Sequence, residues 1–392
     1  MLATPTRFVT YLCLAALGTG CGVPAARGAD SPYAGWTNGP SASPDYFPIA
    51  VWLQSPHNAE RFAAVGVNLF IGLWQGPTAD QLAALKAANM QVICHQNDLA
   101  LTDPNNDIIV AWMHGDEPDN AQPDGQGGYG PPILPETIIA DYKTIAERDP
   151  SRPVLLNLGQ GVAWDGWYGR GVRTNHPEDY PEYVQGADIV SYDIYPVVHD
   201  HPDVAGKLEY VPNGVKRLKG WAREDQPIWC CIETGHIGNA EVKPTAEQIR
   251  SEVWMAIIAG ARGLVYFSHQ FAPTFSEAAM LEDPDIVAGI TELNAQVMSL
   301  APVINGDDLE PYVNQETEDP ERVVQWLAKQ GPDAPHLFVS NNSAEDRAVS
   351  FRLLEGDWQQ AVVLGEDRVV PIVDGVLSDD FAGYGVHLYR FE

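Results

Sequence analysis

Two glutamates stand where acid–base chemistry could use them. Glu117 lies in Met113-His114-Gly115-Asp116-Glu117-Pro118-Asp119-Asn120, directly after the apolar run Ile108-Ile109-Val110-Ala111-Trp112. Glu233 ends a second run, Ile228-Trp229-Cys230-Cys231-Ile232, and is followed by Thr234-Gly235. A carboxyl at the rim of an apolar element loses part of its water, which favours its neutral form. One group kept protonated and another kept ionised are what glycoside hydrolysis requires: a proton for the leaving oxygen and a carboxylate for the anomeric carbon. The same residues fit quieter roles. Glu117 with Pro118 behind it suits a solvated first helical turn, where an acid complements the helix dipole, and Glu233 suits a structural carboxylate.

The elements that must position these acids are readable. Short apolar runs fall at 47–53, 67–74, 91–95, 108–113, 153–158, 189–195, 228–232 and 263–267. Several are almost continuously apolar, as strands covered on both faces must be. Helical spacing lies between them: Leu82, Leu85 and Ala88 within 78–90, and Ile138, Ile139, Tyr142 and Ile145 within 135–147. The stretch 245–259 opens with Thr245 and Gln248, a capping box. Such alternation implies parallel strands with right-handed crossovers, and eight units over roughly 250 residues is the size of a (β/α)8 barrel. An open doubly wound sheet is the other candidate, but Trp52-Leu53-Gln54-Ser55-Pro56 stands where its glycine-rich phosphate loop belongs. From 307 onward, short alternating stretches at 323–327, 336–339, 348–353, 360–363, 369–372 and 386–389 predict a small antiparallel β-sandwich. The expected division is a targeting segment over 1–29, a catalytic barrel over 30–304 and the β-sandwich over 305–392.

In such a barrel, function gathers at the carboxyl ends of the strands. There the sequence puts Trp52, Trp74, His95, Asp116, Asn157, Asp193, Tyr195 and His269, all candidate substrate-binding residues. Trp164 and Trp167, in Trp164-Asp165-Gly166-Trp167-Tyr168-Gly169, are candidate platforms for a sugar ring, since sugars stack on aromatic faces. The strand-end histidines raise a metal-dependent hydrolase as an alternative. The one HxH pair, His199 and His201, sits in a proline-containing loop that looks like surface, and neither a metal nor a cofactor is expected.

The stretches His114-Gly115-Asp116-Glu117-Pro118, Val190-Ser191-Tyr192-Asp193-Ile194-Tyr195-Pro196 and Ile232-Glu233-Thr234-Gly235 resemble clan A glycoside hydrolases. The resemblance covers about residues 45–300 and implies a retaining enzyme, with Glu117 as acid/base, Glu233 as nucleophile and Tyr195 hydrogen-bonded to that nucleophile. The clan usually carries Asn-Glu-Pro after strand four. Here Asp116 replaces the Asn, so it can accept but not donate a hydrogen bond, and its charge should raise the pKa of Glu117. The implied substrate is a β-linked, neutral glycan. A non-catalytic glycan-binding barrel is the alternative outside enzymology.

Composition agrees with a neutral ligand. Acids outnumber bases 53 to 23, a net charge of −30, which argues against nucleic acid or an anionic membrane surface as partner. Arg7 precedes an apolar stretch, 8–17, too short to span a bilayer and of signal-peptide length. Export is expected, to the periplasm, cell surface or medium, with Cys21 as a possible lipid attachment point. The other cysteines form no metal or disulfide pattern, and Cys94, Cys230 and Cys231 read as small buried apolar residues.

Overall fold

A computed structural model describes residues 31–392. The targeting segment, with Cys13 and Cys21, lies outside the described residues. Eight parallel strands close into a barrel: β1 Ile49–Trp52, β2 Leu69–Ile71, β3 Gln91–Cys94, β4 Ile109–Met113, β5 Val154–Leu158, β6 Ile189–Tyr192, β7 Ile228–Glu233 and β8 Gly263–Phe267. β8 pairs back onto β1, with Val265 opposite Ala50. The helices are α1 Ala59–Ala64, α2 Ala79–Ala87, α3 Asp98–Thr102, α4 Pro135–Arg148, α5 Tyr180–Tyr183, α6 Tyr210–Trp221, α7 Ala246–Ala259, α8 Pro284–Ser299 and α9 Ala301–Ile304. Both capping boxes form: Thr78 with Gln81 starts α2, and Thr245 with Gln248 starts α7.

Every barrel strand is nearly or wholly buried, which is why each reads as a continuous apolar run. One set of side chains, including Trp52, Ile71, Ile93, Ala111, Leu155, Trp229, Cys231 and Val265, fills the barrel, and the alternate set packs beneath the helices. At the amino end Tyr33 joins the filling: its hydroxyl donates to the Arg262 carbonyl at 2.7 Å and accepts from Trp229 Nε1 at 2.9 Å. Cys94, Cys230 and Cys231 are buried free thiols.

The C-terminal region is one antiparallel sheet of eight strands. They are β9 Val313–Gln315, β10 Val324–Gln330, β11 Pro335–Asn341, β12 Arg347–Leu353, β13 Gln360–Val363, β14 Arg368–Val373, β15 Val376–Phe381 and β16 Val386–Phe391. Their order is β10-β11-β16-β13-β14-β15-β12-β9. The sheet turns at β14, whose first residues pair with β13 and whose last pair with β15. The two arms therefore fold over a shared core, and Trp326 of β10 meets Phe351 of β12 at 5.4 Å. The sequence suggests six strands where eight form. β9 has three residues, and β15 (VLSDDF) carries three polar residues in a row, so neither shows an apolar period. α7 lies between barrel and sheet, with Trp254 against Phe338 at 5.4 Å. Its sequence is apolar nearly all round because it is covered on both sides.

Candidate active site

Strand ends bring a group of carboxyls to the barrel mouth. Asp116 and Glu117 follow β4, and Asp193 follows β6. Glu117 lies against Asp193, and the Tyr195 hydroxyl is the other polar neighbour of Asp193. Burial, then the charges of Asp193 and Asp116, hold Glu117 well above the usual carboxylate range. Asp193 is also raised, chiefly by burial, while the neighbouring Glu117 and Tyr195 side chains oppose that shift. Two neighbouring carboxyls that are both raised favour a state in which one is protonated while the other is ionised. Asp116 opens onto a cavity, yet the surrounding walls raise it too, and the Asn157 amide opposes this by donating to Asp116 Oδ1 at 2.9 Å.

The backbone is bent to achieve this. Glu117 has φ 42°, in the left-handed region that costs a non-glycine residue energy and that clusters at functional sites. Leu53 (φ 45°), Gln75 (φ 55°) and Ile237 (φ 49°), which follow β1, β2 and β7, share that conformation. Gly159, after β5, makes room for the acid: a Cβ there would stand 2.9 Å from Glu117 Oε1. Asp119 anchors the loop beneath. It is fully buried and accepts from Gly159 N–H and the Tyr180 hydroxyl, both at 2.9 Å, with Arg170 alongside.

Two cavities flank the carboxyls. One, about 710 Å³, is lined by Trp52, Trp74, Asp116, His269, Phe271 and Phe275 among others. Trp74 is 71% exposed, a free indole face at the rim, and His269 stacks on Phe271 at an interplanar angle of 9°. The other, about 460 Å³, is lined by Trp167, Tyr168, Tyr195, His199 and Ile237 among others.

Several expectations need correction. Glu233, the last residue of β7, is fully buried rather than open at the rim: its two oxygens accept from the Val197 and Val198 amides at 2.6 and 3.0 Å, and Glu252 of α7 is the neighbouring acid. Tyr195 lies beside Asp193, whose carboxyl it helps to hold down. Asn157 is committed within the protein, holding Asp116 and accepting from Ser191 Oγ at 2.7 Å. Trp164 is 8% exposed and packs on His201 at 4.7 Å, so the exposed ring of that loop is Tyr168. His199 is not surface: its side chain is 5% exposed and its Nε2 pairs with Gln160 Oε1 at 2.9 Å. His95 is exposed, with Nδ1 3.3 Å from the Met113 carbonyl. Trp167, half-buried, donates to Asn120 Oδ1 at 2.8 Å.

The sequence reading overlooked Gly159, Asp119, Glu252, Phe271 and Phe275. Glu252 alone carried a signal, as an acid on the otherwise apolar face of α7. The other four owe their roles to contacts between distant loops.

No family model matches the chain, and no curated protein matches it in sequence. Solved structures do. A candidate alpha-galactosidase from Bacteroides fragilis superposes with a TM-score of 0.52 at 10% identity, over 89% of this chain and 79% of that one. A noncanonic maltogenic alpha-amylase from Thermotoga neapolitana gives 0.48 at 11%, over 89% and 99%. A glycoside hydrolase family 30 xylanase from Clostridium acetobutylicum gives 0.45 at 11%, over 88% and 95%. All three names are those of glycoside hydrolases, and at such low identity what the first of them shares with this chain is the fold, a closed (β/α)8 barrel.

Proposed function

We propose that the protein is an exported retaining glycoside hydrolase acting on a neutral, β-linked oligo- or polysaccharide. The observation that carries this reading is the gathering of Asp116, Glu117 and Asp193 at the strand ends, with Asp116 on an aromatic-lined cavity and burial raising all three. In this reading Glu117 is the acid/base. Asp193, steadied by Tyr195, takes the nucleophile's place that the sequence resemblance assigns to Glu233. Asp193 attacks the anomeric carbon as the glycosidic C–O bond breaks, and Glu117 delivers its proton to the leaving oxygen. Water then attacks the glycosyl ester while Glu117 takes up a proton from it. Asp116, held by Asn157, accepts a hydrogen bond from a sugar hydroxyl, and Trp52, Trp74 and His269 line the ring's resting place.

Retention is what the sequence resemblance implies. An inverting pair stands about 6.5–9.5 Å apart to admit a water between them. A retaining pair stands roughly 5–5.5 Å apart.

The test is reducing-end release from a panel of neutral β-linked polysaccharides, with and without EDTA. Activity that survives EDTA and is abolished by Glu117→Gln is expected. Loss with EDTA would favour metal-dependent hydrolysis, and binding without release would favour a glycan-binding barrel. Azide separates the two nucleophile candidates: it should rescue Asp193→Ala, giving a glycosyl azide of inverted configuration. Rescue of Glu233→Ala instead would return the role to Glu233.

A further inference from the structure

The curled C-terminal sheet leaves its end strands, β9 and β10, unjoined to each other. A cleft of about 950 Å³, larger than either cavity at the mouth, is lined by residues of both strands, with Lys216 of α6 and Ile258 and Ala259 of α7 contributed by the barrel. Trp326 of β10 lines it and is 39% exposed, although one edge of its ring packs on Phe351. Gln315 of β9 and Gln325 of β10 line it as well. Gln315 Nε2 and Gln325 Oε1 are buried and make no hydrogen bond within the protein. An unpaired buried donor or acceptor costs about 1–3 kcal/mol. One of each, carried by the two unjoined strands, suits a ligand that supplies both partners.

The charges say which ligand. Lys216 and Arg322 are offset by Glu310 and Asp319, and the Asp319 carboxylate is already occupied by the Val323 and Val324 amides at 3.1 and 2.8 Å. A charge-balanced cleft gives no preference to an ion. An indole face beside amide donors and acceptors matches a sugar ring, whose C–H face stacks while its hydroxyls hydrogen-bond.

We propose that this cleft is a second carbohydrate-binding site, which holds a stretch of neutral glycan away from the barrel mouth. Such a tether raises the concentration of polymer at the mouth without touching the reaction there. The site does not depend on hydrolysis, so it stands or falls apart from the proposed function.

The test is affinity electrophoresis of the full chain carrying Glu117→Gln, in gels containing mixed-linkage β-glucan, arabinoxylan or galactomannan. Adding Trp326→Ala, or Gln315→Ala with Gln325→Ala, should weaken retardation at least threefold in one of these gels. Trp326→Phe, which keeps a ring face, should restore most of it and covers the case in which the alanine variant folds poorly. In the otherwise unaltered protein, Trp326→Ala should leave turnover of short soluble glycosides unchanged. Equal retardation with and without Trp326→Ala in all three gels, or no retardation at all, overturns the proposal. Trp326-dependent binding by a protein that hydrolyses none of the glycans would keep this site and remove the glycosidase reading.

Discussion

The barrel holds two pairs of neighbouring acids that burial raises, and they differ in what surrounds them. Glu117 and Asp193 meet at the mouth, beside cavities, on a left-handed backbone at residue 117. Glu233 and Glu252 meet inside the wall, both fully buried, with the Glu233 oxygens on the amides of the turn after β6. Burial raises the carboxyls of both pairs. A perturbed acid is therefore not a catalytic acid until a substrate can reach it. Asp116 and Tyr195, close to the mouth pair in the chain, line the two cavities. The wall pair works as a clamp on residues 197 and 198, two positions beyond Tyr195.

The largest effect that could break this comparison is on turnover. Glu117→Gln removes the proton donor, and the rate should fall by about 10²–10⁴-fold with an unchanged urea midpoint. Glu233→Ala should do the reverse. It strands two buried amide donors, each worth about 1–3 kcal/mol when left unpaired. The urea midpoint should therefore drop well before kcat does when activity is read at low denaturant. If Glu233→Ala instead abolishes turnover in a fully stable protein, the two pairs have been assigned the wrong way round.

What the sequence reading did not show at Glu233 is instructive. Eight apolar runs told where the strands lie, because strands covered on both faces leave no polar gaps, and strand ends told where the mouth is. On that basis Asp116, Glu117, Asp193 and Tyr195 were legible as strand-end residues, though not as partners of one another. A strand-end position does not say what a side chain will bond to. The partners of Glu233 are amides 35 and 36 residues earlier in the chain and an acid on the next helix. None of these contacts leaves a period in the sequence. The same limit hid Gly159, whose value is the missing Cβ beside Glu117.

The wall pair makes a second, smaller effect measurable through pH. Its carboxyls are raised by burial and by each other. Unfolded glutamates ionise near pH 4.3. Above about that pH the native state retains protons that the unfolded state has released, so stability falls as pH rises. Glu252→Gln supplies a permanent neutral partner that can donate to Glu233. The variant's stability should decline less steeply from about pH 5 to 8, with a gain on the order of 1–2 kcal/mol at the upper end. An unaltered pH slope would mean that this pair holds no shared proton.

The smallest effect sharpens the mouth side of the comparison. Trp74 presents an indole face to the cavity that Asp116 also lines, while Glu117 and Asp193 are less exposed. It can hold a sugar by stacking, but it has no group that changes charge during reaction. Such a contact stabilises ground state and transition state alike, so its loss should appear in KM and leave kcat in place. Trp74→Ala should raise KM about 3–10-fold, the equivalent of an aromatic contact of about 0.5–1.5 kcal/mol. The pH profile should stay where the mouth acids put it. A fall in kcat, or a displaced acid limb, would instead tie Trp74 to the placement of Glu117 and Asp193.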